Sequence, residues 1–126
     1  MLNFLLVAIG GAFGAGMRYL MGGAVLRQFG DAWPYGTFAI NVLGSFLIGV
    51  LGGWLAFKGE AGLQMRLLLV TGVLGGFTTF SAYSIETANL IEKKAWFEAA
   101  SYSLGSVAAG LVAVFIGLWI ARKVFG

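Results

Sequence analysis

The polar chemistry of this sequence is concentrated in one apolar stretch. Thr71-Gly72-Val73-Leu74-Gly75-Gly76-Phe77-Thr78-Thr79-Phe80-Ser81-Ala82-Tyr83-Ser84 places three glycines and five Ser or Thr hydroxyls among hydrophobic neighbours. Glycine and a Thr-Thr pair both weaken a helix, one through backbone entropy and the other through crowded β-branched side chains. A helix break is therefore expected here. Irregular backbone inside a membrane is tolerated only where protein or a water-filled path surrounds it, and carbonyls exposed there can coordinate a cation. Upstream, Thr37, Asn41 and Ser45 recur at i, i+4 and i+8, a polar stripe along one helix face. Alone, such a stripe serves interhelical hydrogen bonding as readily as a pathway; beside a broken helix it points to a pathway. Arg18 is the only charge well inside an apolar span, and its potential favours anions. The amide of Asn41, the hydroxyls and the positive edges of phenylalanine rings are all donors of some kind. Glu86 and Glu98 are expected toward span ends, which leaves no deep carboxylate for a proton relay or an organic-cation site. The inventory suits a small, strongly hydrated anion.

The elements that must position these groups follow from composition. Hydrophobic residues make up 60% of the 126 and charged residues 10%, against about 25% in a soluble domain. Absence of cysteine and histidine removes disulfides, thiol nucleophiles and imidazole chemistry. The net charge of +3 comes from dispersed basic residues at expected helix ends, which argues against a nucleic-acid partner. Four stretches are long enough to cross about 30 Å of hydrocarbon at roughly 20 residues each. They run from Phe4 to Leu26, Tyr35 to Phe57, Leu67 to Ile85 and Ala99 to Ala121. Pro34 suits a first helical turn, and Trp33, Trp54, Trp96 and Trp119 fall near span ends, where indoles favour the headgroups. Met1 to Leu6 reads as part of a retained helix and not as a signal peptide.

Residues 1–126 thus read as a single four-helix transmembrane domain, all-α, with the third helix broken mid-membrane. Four helices enclose little space, so a pathway must be narrow or lie between subunits. Glycines at Gly10, Gly14 and Gly22, on the face of Arg18, and at Gly49 with Gly53 and Gly72 with Gly76 permit close helix approach. With the N-terminus inside, inner segments carry Lys58, Arg66, Arg122 and Lys123, and outer ones Arg27, Lys93 and Lys94. Such balance gives almost no orientational bias, and the expectation is dual topology with an antiparallel homodimer.

The segment Gly75-Gly76-Phe77-Thr78-Thr79-Phe80-Ser81, with Gly36-Thr37-Phe38-Ala39-Ile40-Asn41 and the arginine of the first helix, closely resembles the Fluc fluoride channels, also called CrcB. The resemblance covers the whole chain. It implies a passive fluoride-selective channel and no enzyme, exporting fluoride across a bacterial inner membrane through two pores of an antiparallel dimer. It also implies that Asn41 contacts fluoride, that Phe80 and Tyr83 form the aromatic pair of the pore, and that Tyr102 and Ser106 begin a polar track. Thr37, Thr79 and Ser81 join that pore, Arg18 stands in the vestibule, and carbonyls of Gly75 and Thr78 hold a structural sodium ion between subunits. Two departures from the pattern matter: Tyr83 replaces a phenylalanine, and the later hydroxyls of the track fall on Gly110 and Val114. The competing class is a coupled exporter like the small multidrug-resistance transporters. That family depends on a glutamate deep in its first helix, where this chain has Arg18.

Overall fold

In a computed structural model, which describes residues 1–56 and 62–126, the chain is all-helical. The end of the second expected span at Phe57 and the basic residue Lys58 lie outside the described residues. Helix α1 spans Leu2–Phe29 and α2 spans Tyr35–Leu55. Helix α3, residues 62–77, opens with an α-turn at Gly62–Met65, winds as a π-helix through Arg66–Leu74 and closes with Gly75–Phe77. After a break at Thr78 and Thr79 come α4, Phe80–Glu92, and α5, Trp96–Phe125. Among the described residues, four helical units, Leu2–Phe29, Tyr35–Leu55, Gly62–Glu92 and Trp96–Phe125, are long and apolar enough to cross a membrane.

The helix ends obey local chemistry. Gly30 terminates α1 in the left-handed region at φ 79°, where only glycine is unstrained, and its N–H bonds the Leu26 carbonyl. Pro34 caps α2, one position before the first turn expected of it. Helix α4 ends in a Schellman turn, with Ala95 N–H on the Leu90 carbonyl and Lys94 N–H on that of Ile91, both at 2.9 Å. Lys94 takes the left-handed position at φ 58°. That turn folds α5 back so that Ala99 and Tyr102 pack with Leu90, with Trp33 and Phe38 closing over them.

Two helix pairs form the body: α1 lies on α3, and α2 on α5. Both seams are backbone-to-backbone contacts made possible by glycine. A Cβ at Gly14 would overlap the Val73 carbonyl, and one at Gly10 that of Leu68. In the other seam, Gly49 abuts the Val114 carbonyl and Gly117 the Phe46 carbonyl. The outside is apolar: Phe4, Phe13, Leu104 and Phe115 are all exposed, an inversion of soluble proteins that suits lipid. Trp96 and Trp119 are exposed near α5 ends, as expected of interfacial indoles. Trp33 instead turns inward, half-buried, and donates from Nε1 to Ser101 Oγ at 3.0 Å.

Overpacking the α2–α5 seam tests this geometry. Gly117→Ala should lower stability by about 1–3 kcal/mol, whereas Gly16→Ala, with nothing within 4 Å of the added methyl, should not. Detergent melting followed by tryptophan fluorescence reads the difference, and equal melting of the two variants would refute the close approach.

Candidate anion pathway at the helix break

The break is made by diverting one peptide group. Thr78 and Thr79 are extended, at φ −83°, ψ 158° and φ −152°, ψ 120°. In a continuous helix the Thr79 N–H would bond the Gly75 carbonyl. It donates instead to Asn41 Oδ1 at 2.8 Å, and Asn41 Nδ2 donates back to the Thr79 carbonyl at 3.0 Å. The carboxamide pairs with this peptide as a neighbouring strand would. On the other side, Arg18 Nε donates to the Gly76 carbonyl at 3.1 Å. Thr78 Oγ1 donates to the Leu74 carbonyl at 2.8 Å, and its methyl fills a notch at Gly44, where a Cβ would overlap it. Thr79 then caps α4: its Oγ1 accepts from the Ala82 N–H at 3.1 Å and shares a 3.2 Å hydrogen bond with the exposed Ser81. The positive end of the α4 dipole is thereby aimed at the break.

Two recesses flank this point. The first, about 350 Å³, is bordered by Asn41, Ser45, Thr79, Phe80, Tyr83 and Ser106. The second, about 790 Å³, is bordered by Arg18, Thr37, Thr79, Glu86 and Lys93 among others. Thr79 belongs to both, so the break is the partition between them. Gly75 and Thr78 border the first recess, and Gly75 is exposed. Phe80 is 78% exposed and its ring centroid lies 5.4 Å from that of Tyr83, which lies 5.5 Å from Tyr102. Tyr83 Oη donates to the Ser103 carbonyl at 3.0 Å, so the added hydroxyl ties the ring to α5. Tyr102 is fully buried under Trp33, whose ring meets it edge-on at 5.3 Å. The Tyr102 Oη and Ser106 Oγ atoms are buried and have no hydrogen-bond partner among the described residues. A buried donor left unpaired costs about 1–3 kcal/mol. Two of them one turn apart on α5 form a track that a guest would satisfy.

The helix runs on past the expected span: α4 continues beyond Ile85 to Glu92, which sets Glu86 about 9 Å inside the helix end. Its Oε1 accepts from Thr37 Oγ1 at 2.6 Å, so a carboxylate does lie beside the polar stripe. The Thr37 proton is thereby directed to Glu86. A charge ends a hydropathy window; here a hydroxyl and the polar second recess, with Arg18 and Lys93 on its wall, accommodate it.

A family model described as "CrcB-like protein, Camphor Resistance (CrcB)" matches residues 5–118. The chain belongs to the CrcB family. Among CrcB relatives, a "Fluoride-specific ion channel FluC" from Phenylobacterium zucineum (strain HLK1) is 59% identical over 122 residues, 96% of each chain. One of the same name from Caulobacter sp. (strain K31) is 52% identical over 126 residues, 99% of this chain and 98% of the other. Another, from Agrobacterium fabrum (strain C58 / ATCC 33970), is 48% identical over 125 residues, 99% of this chain and 100% of the other. The CrcB match includes Arg18, Asn41 and the whole break, so the geometry above lies within what the family model covers. With four apolar helices in a channel family, the chain is a multi-pass membrane protein.

The clasp generates a prediction independent of transport. Asn41→Leu removes both bonds to Thr79, and should cost about 2–3 kcal/mol and accelerate amide exchange around Thr79. Hydrogen exchange by mass spectrometry in detergent checks it; unchanged protection would mean that Asn41 does not hold the break.

Proposed function

We propose that this protein is a passive fluoride-selective channel of a bacterial inner membrane, exporting fluoride through an antiparallel dual-topology homodimer with two pores. The observation that carries the reading is the pair of buried, unpartnered donors at Tyr102 and Ser106 beside the Asn41-clasped break, in a chain whose relatives are named fluoride-specific channels. Fluoride entering a narrow pore loses much of its hydration shell, so donors must replace water without holding the ion too tightly to leave. Tyr102 and Ser106 offer hydroxyl protons. Asn41 spends its oxygen and one N–H on Thr79, which leaves its second N–H for the ion. Phe80 and Tyr83 offer ring edges, whose quadrupole is positive outward. Arg18 stands at the second recess as a positive vestibule. A coupled exporter finds less support, since α1 carries Arg18 where that class needs an acid.

The dimer is supported by what one chain leaves open. Phe80 and Gly75, both at the break, are exposed, so a second copy is needed to wall the path. The nearly balanced basic residues supply the inverted partner. Diversion of the Thr79 N–H to Asn41 frees the Gly75 carbonyl from its helical donor, and the extended Thr78 turns its own carbonyl away from the helix path. Carbonyl oxygens are hard donors that suit an alkali cation. A structural sodium would be held by Gly75 and Thr78 carbonyls from both subunits, supplying positive potential near each pore. The chain's own residues do the rest: they strip water, orient donors and exclude larger halides by size.

Proteoliposomes loaded with fluoride should release it passively to an electrode, with chloride retained. Asn41→Asp should abolish efflux, because the variant offers a carboxylate in place of the amide donor. Tyr83→Phe loses only the anchor to Ser103 and should keep most of the flux, whereas Tyr83→Ile lacks ring edges and should not. Equal flux from all three proteins with Tyr, Phe or Ile at position 83 would remove that residue from the pore. A C-terminal tag should be reachable from both membrane faces in one population; labelling from one face alone would exclude dual topology.

A further inference from the structure

The sequence left the track on α5 interrupted, with glycine and valine where hydroxyls would continue it past Ser106. The structure places another hydroxyl at the first gap. A Cβ built on Gly110 would meet a single non-neighbouring heavy atom within 4 Å, and that atom is Ser45 Oγ, at 3.4 Å. Helices α2 and α5 run side by side in the same sense, as two contacts establish: Gly110 on Ser45, and Gly49 on the Val114 carbonyl. One turn back on each helix sets Asn41 level with Ser106, and both border the recess that Ser45 also borders. A further turn sets Thr37 level with Tyr102. The seam is thus a ladder with polar groups on both helices at its first two rungs and on α2 alone at the third. At the fourth, Gly49 against Val114, there is none, and the backbones close on each other. Ser45 Oγ makes no hydrogen bond to any described residue.

We propose that Ser45 is the third station of the fluoride path, its hydroxyl on α2 standing in for the one that α5 lacks at Gly110. The proposal rests on the channel reading above. It explains why Gly110 is tolerated: the Ser45 hydroxyl already stands within van der Waals reach of the place where a side chain there would begin. The track crosses from α5 to α2 at this level, so an ion leaving Ser106 finds its next donor across the seam and not one turn further along the same helix.

Fluoride efflux from proteoliposomes tests it. Ser45→Ala should slow efflux about tenfold, the worth of roughly one hydrogen bond to a charged partner, while eluting and melting as the wild type does. Adding Gly110→Ser to Ser45→Ala should restore most of the flux, since the new side chain starts beside the place that the Ser45 hydroxyl vacates and its Cβ meets no other non-neighbouring heavy atom within 4 Å. Ser45→Thr and Ser45→Val, equal in bulk, form a second arm: the first should conduct well and the second poorly. Wild-type flux from Ser45→Ala or equal flux from Thr and Val variants overturns the proposal, and so does a folded double variant without recovery. All of these leave the channel reading intact, provided that Asn41→Asp still abolishes efflux. Absence of efflux from wild-type protein would instead overturn that reading, and this one with it.

Discussion

An unpaired peptide group in hydrocarbon costs several kcal/mol, and nearly everything particular about this chain follows from how it meets that cost at Thr79. A straight third helix would have needed no help. The break needs four separate aids: the Asn41 carboxamide against Thr79, Arg18 on the Gly76 carbonyl, the Thr78 hydroxyl on Leu74 and the Thr79 hydroxyl on Ala82. Two of them come from other helices, so their register against α3 has to be held tightly. For α1, backbone contact at Gly10 and Gly14 supplies that precision, because contacts between backbones leave no side-chain slack, and for α2 the Thr78 methyl seated in the notch at Gly44 supplies it.

The same constraint arranges the donors. Groups that hold the break are already spent, as Asn41 largely is, whereas those on α5 are kept free by burial among rings. Tyr102 sits beneath Trp33 and against Tyr83, where neither water nor backbone reaches its hydroxyl. A scaffold of aromatic rings can enclose a polar atom without quenching it, since ring faces make no competing strong hydrogen bond. Tyr83 uses its hydroxyl as a tether to α5, so its ring is fixed between Phe80 and Tyr102.

Much of this was legible in the residues. The break at Thr78-Thr79 and the four apolar spans follow from glycine, threonine and hydropathy alone, and the polar stripe Thr37-Asn41-Ser45 marked the helix face that meets them. Asn41 was legible as polar and central, but its partner was not: a carboxamide bonding a peptide from another helix leaves no mark in local sequence. Glu86 was legible as a carboxylate toward a span end, but its partner Thr37, on another helix, was not. Trp33 was read as a headgroup anchor from its position near a span end, whereas the turn after α4 folds α5 beneath it. The π-winding of Arg66–Leu74 had no precursor in the residue pattern, which is helical whichever bond ladder forms.

The clasp on Thr79 also dictates an order of biogenesis. Arg18 and Asn41 precede the break in the chain, so during synthesis both are in the membrane before the segment they hold emerges. The third span arrives at a prepared receptor, and its extended peptide need never face lipid alone. A circularly permuted chain beginning near residue 62 would reverse that order, delivering an unsatisfied break to the bilayer ahead of its two holders.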